Sequence, residues 1–121
     1  MSTEEQLFVD ADPIRIEQVI VNYLNNAVNH VDEQRVIKVC AAKTDGKARI
    51  SVYNTGVGIP EESLEKIWLS FYKVDEARTR TLGGTGLGLS IVKAIMEAHG
   101  CDYGVNNMEE GLEFWFELYC N

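Results

Sequence analysis

Apolar residues at Ile16, Val19, Ile20, Tyr23, Leu24, Ala27, Val28 and Val31 recur at alternating steps of three and one, a period that puts them on one face of a long helix. Asp12-Pro13 marks its start. The carboxylate can accept a free N–H as N-cap, and proline's fixed φ and missing donor suit the first helical position. Residues 36–42 and 48–53 alternate as strands do, and Thr44-Asp45-Gly46-Lys47 supplies hairpin turn chemistry between them. Pro60-Glu61-Glu62 opens a second, shorter helix carrying Leu64, Ile67 and Trp68, with acidic residues in its positive first turn. A third helix over 86–99 buries Ile91, Val92, Ile95 and Met96 and stops at Gly100. Alternation returns over 103–105 and 112–118 around Glu109-Glu110-Gly111, with Phe114 and Phe116 on one face. Residues 6–9 read as a short leading strand and 1–5 as a polar start or linker, which leaves 6–121 as one domain. This order predicts an α/β fold, a two-layer sandwich of a mixed, largely antiparallel sheet with three main helices on one face.

The 121 residues are 45% hydrophobic and 25% charged, enough to bury a core and unlike a disordered chain. The 11 Lys and Arg stand against 19 Asp and Glu, a formal net charge of −8, which argues against nucleic acid as the main partner. Apolar runs reach three residues or so, as in Val19-Ile20-Val21, far short of the roughly 18 that span a membrane, so direct membrane contact is not expected. Cys40, Cys101 and Cys120 are odd in number and widely separated. They form neither a disulfide framework nor a CxxC pair, and the expectation is reduced thiols in a cytoplasmic protein. His30 and His99 have no second ligand at zinc spacing.

Four segments depart from plain structure. Asn22, Asn26 and Asn29 lie at i, i+4 and i+7 on the long helix, flanked by Asn25 and His30. Asn competes with the helix backbone, so a solvated face would favour Glu, Lys or Gln; a row of amide oxygens can instead face a metal or ligand. Asn54-Thr55-Gly56-Val57-Gly58-Ile59-Pro60 joins a strand to a helix, and its glycines permit close backbone approach, although turns with glycine are common. Gly83-Gly84-Thr85-Gly86-Leu87-Gly88-Leu89 feeds straight into a helix N-terminus, where free N–H groups and the helix dipole favour phosphate. Neither a dinucleotide fingerprint nor a P-loop fits it. Between Lys66 and Lys93 five basic residues face two acidic ones, a local +3 that suits a polyphosphate.

In order, Asn22-x-x-x-Asn26, Asn54-x-Gly56-x-Gly58, Phe71-Tyr72-Lys73 and Gly84-x-Gly86-x-Gly88-Leu89 resemble the N, G1, F and G2 boxes of sensor histidine kinases. The chain is similar to their catalytic and ATP-binding domain over about residues 7–118. That resemblance implies the Bergerat ATP-binding fold, shared with gyrase, chaperone and mismatch-repair ATPases, and ATP and Mg²⁺ as cofactors. It implies that Asn26 coordinates Mg²⁺ with Asn22 supporting it, and that Asn29 and His30 neighbour the nucleotide. Gly84, Thr85, Gly86, Leu87, Gly88 and Leu89 would meet the phosphates, and Tyr72 and Lys73 would reach them from the F box, Lys73 at the γ-phosphate. Gly56, Gly58 and Ile59 would make room for adenine beside Asn54. Catalysis would be positioning and charge neutralisation by Asn26 and Lys73.

The resemblance also implies partners: a dimerisation and histidine-phosphotransfer domain of the same parent, which bears the acceptor histidine, and a response regulator downstream. The setting would be the cytoplasmic portion of a membrane-anchored sensor. Neither His30 nor His99 sits in the family's His-Glu-x-x-x-Pro setting. Three positions depart from the pattern: Asn54 replaces the Asp that bonds the adenine amino group, Asn29 a frequent Lys or Arg, and His30 a frequent Tyr. An amide at position 54 that flips would serve guanine as well, so weaker ATP binding and laxer rejection of GTP are expected. Alternatives are an anti-sigma-factor serine kinase of the same fold and a nucleotide-sensing module with impaired catalysis. Hydrolysis is disfavoured, because hydrolases of this fold carry a water-activating Glu where this chain has Asn22.

Overall fold

The computed structural model describes residues 11–70 and 88–119. The expected leading strand at 6–9, the linker at 1–5, the basic run with Phe71, Tyr72 and Lys73, the glycines up to Leu87, and Cys120 lie outside the described residues.

Helix α1 spans Pro13–His30, and Asp12 caps it as expected: its carboxylate accepts the N–H groups of Ile14 and Arg15 at 3.0 and 3.3 Å. Ile16, Val19, Tyr23 and Ala27 are buried, while Ile20 and Leu24 pack at the margin. Val28, expected on the apolar face, is 61% exposed. Strands β1 (Ile37–Thr44) and β2 (Lys47–Thr55) form a hairpin whose two-residue loop, Asp45-Gly46, has φ of 50° and 78°. Positive φ at both positions matches the right-handed twist of the flanking strands, which is why Asp-Gly is found there.

The second helix expected after Pro60 is instead two single 3-10 turns, Glu61–Ser63 and Lys66–Trp68. The i, i+3, i+4 pattern of Leu64, Ile67 and Trp68 holds over one turn only, and Ile67 and Trp68 are the pair that reaches the core. Helix α2 covers Gly88–Ala98 and buries Val92, Ile95 and Met96, with Ile91 half-buried. At its end Gly100 adopts φ of 65°, donates its N–H to the Glu97 carbonyl, and lets the Cys101 N–H reach the Met96 carbonyl, both at 3.1 Å. This paired closure needs a left-handed residue, so the helix stops at its glycine.

Strands β3 (Tyr103–Asn107) and β4 (Gly111–Tyr119) complete a sheet of order β1-β2-β4-β3, antiparallel at every described pairing. The helices and 3-10 turns cover one face as the second layer. Between the layers Tyr23 lies 5.3 and 6.0 Å from the rings of Phe114 and Phe116 and donates its hydroxyl to the Trp115 carbonyl at 3.0 Å. On the other face Arg49 stacks 4.0 Å from the Trp115 ring and pairs with Glu117 at 3.0 Å. Among the described residues no helix is long and apolar enough to cross a membrane, and Cys40 and Cys101 are free thiols.

Candidate functional site

Helix α1 meets Gly88 and Gly56, one residue from each glycine-bearing motif. Near its middle, the Asn22 amide oxygen lies 3.8 Å from where a Cβ on Gly88 would stand; at its end, the His30 carbonyl lies 2.8 Å from where a Cβ on Gly56 would stand. The eight residue steps between these contacts span about 12 Å of helix. Asn26 and Asn29 lie on that stretch, and Asn22, Asn26, Asn29 and His30 are all half-buried. Gly88 and Leu89 are the first described residues of α2, and Gly88 lies beside Asn22.

Asn54 lies near the end of β2, 1% exposed. Its Nδ2 donates to the Thr55 carbonyl at 3.1 Å, and the same carbonyl accepts the Asp32 N–H at 3.0 Å. A flipped amide would set Oδ1 against that carbonyl, oxygen to oxygen, so the flip expected from the sequence is opposed by its own backbone. The loop that follows is tied down on both sides. Gly56 donates its N–H to the Glu110 carbonyl at 3.0 Å, and Ile59 is bonded through both backbone groups to the side chain of Asn107.

Among the described residues two buried side-chain polar atoms have no hydrogen-bond partner, Asn22 Nδ2 and Asn54 Oδ1. Buried polar atoms are nearly always paired, and leaving one bare costs about 1–3 kcal/mol. The two are of opposite sense: Asn54 offers an acceptor beside the 56–59 loop, and Asn22 a donor beside the start of α2. The first calls for a donor and the second for an acceptor.

Of the residues singled out in the sequence, Asn22, Asn26, Asn29, His30, Asn54, Gly56, Gly58, Ile59, Gly88 and Leu89 are described: Asn22 meets Gly88, His30 and Asn54 meet Gly56, and Gly58 and Ile59 meet Asn107 at the end of β3. Tyr72, Lys73, Gly84, Thr85, Gly86 and Leu87 lie outside the described residues. Sequence reasoning missed Asn107, which follows Asn106 at the end of a strand; no local pattern reveals a bond to a residue 48 positions away. His99 has a structural place. Its Nδ1 bonds the Ile95 carbonyl at 2.9 Å and its Nε2 accepts the Asp12 N–H at 3.1 Å.

A family model described as histidine kinase-, DNA gyrase B-, and HSP90-like ATPase matches residues 11–120. The chain is 41% identical over 104 residues to the sensor histidine kinase YkoH of Bacillus subtilis (strain 168), an alignment covering 86% of this chain and 22% of YkoH. It therefore spans about a fifth of that relative's length. Among solved structures, full-length ShkA in complex with AMPPNP is similar with a TM-score of 0.79 and 32% identity, over 96% of this chain and 24% of that one. Histidine kinase ThkA, solved in complex with the response regulator protein TrrA, gives a TM-score of 0.80 and 37% identity, over 100% of this chain and 33% of that one.

Proposed function

The chain belongs to the histidine kinase-, DNA gyrase B- and HSP90-like ATPase family, and from that premise we propose that it is the Mg-ATP-binding catalytic domain of a sensor histidine kinase. Its work is to deliver the γ-phosphate to a histidine on a dimerisation domain of the same parent, from which a response regulator takes it. The observation that carries this reading is the pair of unpartnered buried atoms, Asn54 Oδ1 and Asn22 Nδ2. An adenine amino group donates to the first, and a phosphate oxygen accepts from the second.

Bound Mg-ATP supplies the transferable phosphoryl group and its neutralising cation. This chain's own residues bind and orient it. Asn54 reads the base edge, with Gly56, Gly58 and Ile59 forming the wall beside it. Asn26, one turn beyond Asn22 on α1, offers a neutral oxygen of the hard kind that Mg²⁺ accepts alongside waters and phosphates; Asn29 and His30 continue the row. The stretch Gly84, Thr85, Gly86, Leu87, Gly88 and Leu89 supplies backbone N–H groups at the positive start of α2, and Tyr72 with Lys73 brings a cation to the terminal phosphate. Asn22 cannot act as a base at neutral pH, so water is not activated and the γ-phosphate is kept for the acceptor. The setting is the cytoplasmic side of a membrane-anchored sensor.

Thermal unfolding with and without Mg-ATP tests this reading. Ligand at about 100 times its dissociation constant adds roughly 2.7 kcal/mol of stability. No upward shift in Tm with Mg-ATP, at concentrations up to several millimolar, would overturn it.

A further inference from the structure

The end of β3 holds the loop that follows Asn54 through a single side chain. Asn107 Oδ1 accepts the Ile59 N–H at 2.8 Å, and Asn107 Nδ2 donates to the Ile59 carbonyl at 2.9 Å. One amide thus satisfies both backbone groups of one residue, as a neighbouring strand would. Gly58 makes the approach possible: a Cβ there would stand 2.7 Å from Asn107 Oδ1. Gly56 plays the same part on the other side, since its Cβ would stand 2.8 Å from the His30 carbonyl and 3.3 Å from Asn54 Nδ2. Both spaces that the glycines leave open are therefore filled by this chain's own groups. They are needed to seat the loop, a role distinct from making room for a base.

The register explains why Asn107 is placed to do this. Asn54 pairs with Leu112 and Leu112 with Asn107, so the three form one row across neighbouring strands. Asn106, one residue earlier, turns to the opposite face and donates to Glu113 at 3.3 Å. The row carries the base-reading amide at one end and the loop clamp at the other, and the loop bridges them.

We infer that Asn107 is a positioning residue for nucleotide binding: it touches no nucleotide and fixes the height of the 56–59 loop above the sheet, beside Asn54 Oδ1. This rests on the reading of that loop as the wall of the base site. The test compares the parent 121-residue chain with Asn107→Ala and Asn107→Asp by Mg-ATP titration, by hydrogen exchange at the Ile59 amide and by melting without nucleotide. In Asn107→Ala the Ile59 amide loses protection and the Kd for Mg-ATP rises about ten-fold, the equivalent of one good hydrogen bond. Its Tm stays within about 4 °C of the parent. Asn107→Asp keeps an acceptor for the Ile59 N–H and, because the side chain is exposed, turns its second oxygen from the Ile59 carbonyl into water, so it retains much of the protection and falls between the two in affinity. Unchanged affinity in Asn107→Ala despite an unprotected Ile59 amide overturns the inference alone. A weakening that merely follows a large loss of Tm, with Asn107→Asp no better, also overturns it. A parent chain that does not bind Mg-ATP overturns the functional reading instead, and the Ile59 amide still reports whether the clamp exists.

Discussion

His99 Nε2 accepts the backbone N–H of Asp12 at 3.1 Å, so the residue just beyond α2 holds the cap of α1. With Nδ1 on the Ile95 carbonyl at 2.9 Å, both ring nitrogens are engaged by backbone. With Nε2 accepting, Nδ1 is the nitrogen that donates to the carbonyl. That arrangement also removes the lone pair a phosphoacceptor needs.

Incubation of this chain alone with γ-labelled ATP should therefore leave no acid-labile phosphate on His99. His99→Phe should cost about 1 kcal/mol of stability in urea unfolding, the net value of a hydrogen bond. Nucleotide affinity should be unaffected. Phosphate mapped to His99 would contradict the structural role.

Burial pushes the Tyr23 phenol well above its ordinary value near 10, with Tyr103 adding to the rise. The unfolded chain releases that proton near pH 10 while the folded one keeps it. Above pH 10 the folded state thus binds more protons, and stability falls as pH rises, at up to about 1.4 kcal/mol per pH unit from this group; below pH 10 its contribution is whole. Tyr23→Phe should cost about 1 kcal/mol at neutral pH, by losing the bond to the Trp115 carbonyl. The same variant should flatten the alkaline decline. Urea titrations at pH 8, 10 and 11 measure both, and an equal decline in the two proteins would count against the assignment.

Asn26→Ala should abolish the Mg²⁺-dependent part of stabilisation by ATP while leaving the free domain folded. Asn26 is half-buried and outside the apolar cluster, so no core cavity opens, and alanine is the better helix former by about 0.5 kcal/mol. Melting curves with ATP plus Mg²⁺ and with ATP plus a chelator decide it. Equal Mg²⁺-dependent shifts in parent and variant would remove Asn26 from the metal.

Features whose causes lie close together in the chain were readable before the structure. Asp12-Pro13, the apolar period of α1, Asp45-Gly46 and Gly100 each carry their own backbone reason. The asparagine row stands out in the sequence because Asn is the wrong residue for a solvated helix face, and the structure leaves Asn22, Asn26 and Asn29 half-buried. What stayed hidden depends on distant partners. The turns at Glu61–Ser63 and Lys66–Trp68 share the apolar spacing of a helix, and only the packing of Trp68, 4.9 Å from Tyr103 and 6.0 Å from Phe114, distinguishes them. Likewise Gly58 reads as room for a ligand until Asn107 is found occupying that room.

The last prediction concerns Asn54 and the choice between adenine and guanine. Its Nδ2 is committed to the Thr55 carbonyl, and its Oδ1 is the bare atom. Adenine presents an amino group to such an oxygen, whereas guanine presents a carbonyl that it repels. The wild-type domain should thus prefer ATP to GTP, with no help for guanine from a flipped amide. Asn54→Asp exchanges a neutral acceptor for a charged one, and a charge-assisted bond contributes about 1.5–3 kcal/mol against 0.5–1.5 for a neutral one. ATP binding should tighten roughly ten-fold. The same change sets a carboxylate oxygen where Nδ2 stood, 3.1 Å from the Thr55 carbonyl in a site 1% exposed. The nucleotide-free variant should therefore melt below the parent, and its carboxyl should hold its proton to higher pH than an ordinary aspartate. Competition titrations of ATP and GTP on both proteins, with melting curves of each alone, separate the effects. Equal ATP and GTP affinity in the parent would mean that Asn54 Oδ1 does not read the base, whatever the variant does.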